Sequence, residues 1–83
     1  MQENEVRERI LQALAKVAPE VEPGDIRGDE PLRDQVDLDS FDFLTFLTHI
    51  AEDTGIEIPE REYQRIETVD QLTAYVSARQ GSA

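Results

Sequence analysis

Ser40 stands among Asp37, Asp39 and Asp42 in the stretch DLDSFDFLTFL, residues Asp37 to Leu47. A serine hydroxyl can act as a nucleophile if a base lies within hydrogen-bond reach and an oxyanion site faces it. The only histidine, His49, comes nine residues later. On a helix that offset is roughly 900° of rotation and about 13 Å of rise, so His49 points away from Ser40. No G-x-S-x-G pattern surrounds the serine. These spacings exclude a self-contained serine hydrolase, and His49 reads as a solvated residue on a polar face. The aspartates could suggest calcium, but a calcium loop beginning at Asp37 needs glycine at its sixth position and glutamate at its twelfth. Asp42 and Thr48 stand there instead. The plain structural role is a helix cap, since Asp39 and Ser40 are both strong N-cap types. A cap accounts for the aspartate. It does not account for a hydroxyl that is followed by Phe41, framed by acids and preceded by a long irregular segment.

The elements that must position this hydroxyl are legible from periodicity. Val6, Ile10, Leu14 and Val17, with Leu11 beside them, predict an amphipathic helix over residues 4–18, capped by Asn4 and ended by Pro19. Residues 19–38 hold Pro19, Pro23, Pro31, Gly24 and Gly28, which break regular structure. A loop of about 20 residues needs its own anchors, and Ile26, Leu32, Val36 and Leu38 can pin it across the core. A second helix is predicted from Ser40 to about Asp53, with Gly55 as its C′ residue. Phe43, Leu44, Leu47, Ile50 and Ala51 share its apolar face. Asp42, Thr45, His49, Glu52 and Asp53 lie opposite, and Phe41 and Phe46 fall on the flanks. IEIPEREYQRI then gives one or two helical turns anchored by Tyr63 and Ile66. In TVDQLTAYV, Thr68 and Gln71 form a capping box ahead of Val69, Leu72, Tyr75 and Val76. The tail ARQGSA should fray. The reading is an all-α, small four-helix bundle in one domain over residues 1–83, ordered over about 4–78, with a long first crossover and a short third helix.

Composition narrows the function. The chain has 83 residues, no cysteine and a formal charge of −11. Eight acids and no Lys or Arg occupy Asp34 to Glu60. Such a surface repels a phosphate backbone, so nucleic acid is excluded as a partner. Two readings stay open on charge alone: steering of a basic protein partner, or mere solubility. The lack of cysteine rules out a reactive protein thiol and suits a reducing compartment. With no 18-residue apolar run and no basic, apolar leader, the expectation is a cytoplasmic monomer without a membrane span.

LDSFDFLTFL resembles the D-S-L motif of acyl carrier proteins, and GIEIPEREYQRIETVDQLTAYV resembles the second half of that family. There an acidic-isoleucine-proline step precedes a short third helix and a T-V start opens the last one. The likeness runs in register from about Leu32 to Val76. It implies that Ser40 carries 4′-phosphopantetheine, transferred from coenzyme A by a magnesium-dependent holo-carrier-protein synthase (a phosphopantetheinyl transferase). It further implies that Asp39 assists this transferase. Acyl groups would ride as thioesters on the cofactor thiol and pass to acyl-loading and acyl-transferring enzymes with basic patches, so the chain is a carrier and not an enzyme. Phe41, Asp42, Thr45 and Glu52 are the expected partner-contact residues, and Phe46 belongs to the core or to the wall of an acyl cavity. Asp37 replaces a glycine usual in the family, Phe41 a leucine or methionine, and Thr45 and Ala51 two glutamates common on the second helix. These departures point to a specialised carrier in fatty-acid, polyketide or specialised lipid synthesis, because partner choice is written on that helix. Two other functions compete. An aminoacyl, D-alanyl or peptidyl carrier often has a G-G-x-S-like stretch, which is absent here. An unmodified acidic helical adaptor would bear no adduct on Ser40.

Overall fold

The structure is a computed structural model and describes residues 2–81. Three long helices carry the architecture: α1 (Glu3–Val17), α3 (Ser40–Thr54) and α4 (Val69–Gly81). Between α1 and α3 lie a 3-10 turn (Pro23–Asp25) and a four-residue helix, α2 (Leu32–Gln35). A short 3-10 helix (Glu60–Arg65) joins α3 to α4. The fold is thus an all-helical bundle, with α1 packed against both α3 and α4. Among the described residues no helix is long and apolar enough to cross a membrane.

Helix α1 buries Val6, Ile10 and Leu14, while Leu11 and Val17 are half-buried at its edges. Its N-cap is Gln2 and not Asn4, and the cap side chain makes no hydrogen bond. The Gln2 carbonyl accepts from the amides of Glu5 and Val6, so Asn4 is already inside the first turn.

The long connection is more ordered than an anchored loop. Leu32, Val36 and Leu38 are buried as expected and Ile26 is half-buried, but a helical turn begins directly after Pro31. Polar staples complete the work. Gln35 Oε1 accepts from the Arg27 amide (2.6 Å), and Gln35 Nε2 donates to the carbonyls of Arg27 (2.8 Å) and Glu30 (2.9 Å). The Leu32 amide donates to Glu67 O at 2.8 Å, tying α2 to the entry of α4. Gly28 sits under the Arg7–Asp70 ion pair (2.6 Å), and its carbonyl accepts from the Asp70 amide. A Cβ at Gly28 would lie 2.6 and 2.8 Å from the two Arg7 Nη atoms and would also crowd the Asp70 carboxylate. A side chain there would therefore have to displace the tips of the Arg7–Asp70 pair, and no backbone stands in its way.

Helix α3 ends at Gly55, whose φ of 75° lets its amide close on Ala51 O. Its buried face differs from the expected one. Phe43, Phe46, Leu47 and Ile50 are buried, whereas Leu44 is 48 % exposed and Ala51 only half-buried. The face is therefore rotated toward Phe46, where α3 meets α1. Phe46 stacks beside Phe43 (centroids 6.0 Å apart), and Phe43 meets Tyr63 edge-on at 6.2 Å. Before α4 the capping box is complete: the Gln71 amide donates to Thr68 Oγ1 (3.0 Å), and the Thr68 amide to Gln71 Oε1 (3.1 Å). Val69, Leu72 and Val76 are fully buried, and Tyr75 is half-buried. Helix α4 continues through Ala78 to Gly81, into the tail expected to fray; Ser82 and Ala83 lie outside the described residues.

Phe46 is fully enclosed and Phe41 is 74 % exposed. Phe46→Ala should lower stability by about 3 kcal/mol or more, and Phe41→Ala by roughly 0.5 kcal/mol or less. Denaturant melts of the two variants measure the difference directly.

Candidate functional site

Asp39, and not Ser40, caps α3. Its Oδ1 accepts from the Asp42 amide at 2.7 Å, and its own backbone is extended (φ −82°, ψ 179°). This arrangement makes Ser40 the first helical residue, exposed and free of capping duty. The hydroxyl therefore projects beside a helix start whose first amides have no intrahelical partner and whose macrodipole favours negative charge.

A groove opens next to Ser40, between α3 and the 3-10 helix. It has a volume of about 440 Å³ and is walled by Phe43, Leu44 and Tyr63, with Arg33, Gln64, Glu60 and Glu67 also lining it. Arg33 was not singled out by sequence. Its Nη2 donates to Ser40 Oγ at 3.3 Å, and its guanidinium carbon lies 5.5 Å from the centre of the Phe43 ring. The available signal was its place as the last cation before the acidic run.

The expected partner-contact residues do not all fall together. Counting about 100° per residue from Ser40, Phe41, Thr45 and Glu52 fall within roughly 40° of one another, opposite the buried face. Phe41 and Glu52 are exposed, and Thr45 is half-buried. Asp42 lies further round and is half-buried, its amide held by Asp39. Leu44, read from sequence as core, joins the exposed side, so two large apolar side chains flank the serine. His49 is half-buried rather than fully solvated.

The acidic run is not cation-free in space. Asp53 pairs with Arg9 of α1 at 2.7 Å, and this hydrogen bond and its charge raise the Arg9 pKa above its ordinary value. Arg33 adds a second cation at the serine. Among the described residues no group of three or more His, Cys, Asp or Glu side chains comes together as a metal site.

With this geometry in hand, comparison with known proteins is informative. Residues 8–76 match the family model described as the phosphopantetheine attachment site. The chain is 30 % identical over 81 residues to the acyl carrier protein of Lactobacillus acidophilus, covering 98 % of this chain and 100 % of that protein. The chain belongs to the acyl carrier protein family. Members from Renibacterium salmoninarum (29 % over 76 residues; 88 % of this chain, 94 % of that one) and Rubrobacter xylanophilus (29 % over 77 residues; 89 % and 95 %) are similarly related. The prosthetic group of this family is phosphopantetheine. The residues present fit it: an accessible serine hydroxyl at a helix start, with room beside it.

Two measurements probe this site. Asp39→Ala should cost about 1 kcal/mol by removing the α3 cap, read from denaturant melts. The remaining exposed acids, Asp34, Asp37, Glu52, Glu57 and Glu60, should make the melting temperature rise with millimolar magnesium or moderate salt. A flat titration would show that Arg9 and Arg33 already offset the repulsion.

Proposed function

We propose that Ser40 is the attachment point of 4′-phosphopantetheine, and that this chain, as one carrier domain, carries acyl groups between enzymes without catalysing their chemistry. The observation that carries the proposal is the exposed Ser40 hydroxyl at the first residue of α3, relieved of capping by Asp39 and bordered by the groove. A separate magnesium-dependent transferase supplies the group from coenzyme A. When bound, the group supplies the thiol that the cysteine-free chain lacks, the atom on which acyl groups ride as thioesters.

The chain's own residues do the positioning. Asp39 fixes the helix start, so the hydroxyl emerges at one angle, and it supports the transferase beside that hydroxyl. The early amides of α3 and its dipole favour the negative charge that attachment brings. Phe41 and Leu44 offer partner enzymes an apolar contact, with Thr45 and Glu52 along the same exposed side and Asp42 at its edge. The negative surface steers enzymes with basic patches toward it. Phe41, Thr45 and Ala51 in place of the family's usual residues make this a specialised carrier for fatty-acid, polyketide or specialised lipid synthesis.

Ser40→Ala should fold with its helices intact and lose little stability, since the cap belongs to Asp39, yet accept no adduct. Circular dichroism and mass spectrometry after incubation with a phosphopantetheinyl transferase and coenzyme A check both halves. An adduct on the alanine variant, or none on the wild-type protein, refutes the assignment. In the latter case an unmodified adaptor becomes the better reading.

A further inference from the structure

Arg33 is held in place from several sides. It stands on α2, where Leu32 is fully buried, the Leu32 amide bonds to Glu67 O, and Gln35 is stapled to Arg27 and Glu30. From this fixed turn the exposed side chain crosses to α3, donates to Ser40 Oγ at 3.3 Å and covers the Phe43 ring. Arg33 takes part in none of the ion pairs Arg7–Asp70, Arg9–Asp53 and Arg27–Glu30. That is informative, because Asp34, Asp37, Asp39 and Asp42 are all close in sequence. The guanidinium is held by a neutral hydroxyl and a ring face. Its charge is unneutralised by any of these pairs, and most of its five N–H donors remain uncommitted.

We propose that Arg33 is a positioning residue that clamps the phosphodiester on Ser40 and turns the root of the prosthetic arm toward the groove walled by Phe43, Leu44 and Tyr63. The inference rests on Ser40 being the attachment point. The phosphorus of that ester is bonded directly to Oγ, so its anionic oxygens lie two bonds beyond the atom Arg33 already contacts. Attachment therefore exchanges a neutral acceptor for a charged one, and charge-assisted bonds are shorter and stronger. The planar fork suits two oxygens of one phosphate, which a lysine ammonium cannot match. Because the Phe43 ring already supports the guanidinium, little side-chain freedom is lost on pairing. The contact also has a direction. Arg33 lies on the Phe43 side of Ser40, whereas Phe41 is about 100° round the helix in the other sense. A clamp on the first side leaves Phe41 clear for a partner enzyme.

The test uses the loaded full-length protein as wild type, Arg33→Ala and Arg33→Lys, with loading verified by mass and folding by circular dichroism. Phosphorus NMR reads the ester, and the Arg33 side-chain Nε–H signal reads the guanidinium. On attachment the wild-type Nε–H signal should shift and its exchange with water slow severalfold. The phosphorus signal of Arg33→Ala should differ from wild type, and that of Arg33→Lys should fall between them. Raising salt should move the wild-type signal toward the alanine value and leave the alanine signal in place. If loaded wild type and Arg33→Ala share one phosphorus shift and the Nε–H signal ignores attachment, the clamp is overturned while Ser40 remains the attachment point. If wild type takes no adduct at all, the Ser40 assignment fails and the clamp falls with it.

Discussion

The enclosure of Phe46 sets the rotation of α3 about its own axis, and most of the candidate site follows from that angle. With Phe46, Phe43, Leu47 and Ile50 turned inward, burial of this apolar face is the dominant stabilising term available to the helix. Leu44 and Phe41 must then face out. Phe43, at the edge of the core, offers one face of its ring to Arg33 and an edge contact to Tyr63. Ser40 is left at the helix start between the groove, which Leu44 helps to wall, and the exposed Phe41.

The second constraint is the long connection before α3. A segment rich in proline and glycine has few backbone partners of its own, so its amides and carbonyls must be satisfied in other ways. Gln35 satisfies three of them, and the strand-like pairing of Pro31 with Thr68 joins the connection to the capping box of α4. The start of α3 is thereby fixed from behind by α2 and from below by the core. For the attachment role proposed for Ser40, this leaves the hydroxyl on a braced helix start at an exposed surface.

Much of this was legible in the sequence. The three long helices, the Gly55 terminus and the Thr68–Gln71 box follow from periodicity and capping chemistry, whereas periodicity puts both Phe41 and Phe46 on the flanks and only Phe41's place beside Ser40 sets the two apart. The face of α3 was misjudged at Leu44 because a wheel weights every apolar residue equally, while the position of α1 selects which of them is covered. The cap of α1 was misplaced by two residues, since Gln2 supplies only a backbone carbonyl and leaves no side-chain trace in the pattern. Helix α2 was missed because a four-residue turn has no periodicity to detect. Arg33 escaped notice for a related reason: its contact with Ser40 depends on that turn. The pairing of Arg9 with Asp53 joins residues 44 apart in the chain, beyond the reach of local charge counting.

Gly28 marks a second junction behind the start of α3. It is the place where the connection, α1 and α4 come together, under the Arg7–Asp70 pair and against the Asp70 amide. Gly24, four residues earlier, has nothing within 4 Å of where a Cβ would stand. The two glycines look alike in the sequence but differ in what a side chain would meet. A Cβ at position 24 meets open space, whereas one at position 28 meets the tips of the Arg7 and Asp70 side chains, which would have to shift out of their present pairing. A side chain at position 28 is therefore felt first in the ion pair that bridges α1 and α4, remote from Ser40.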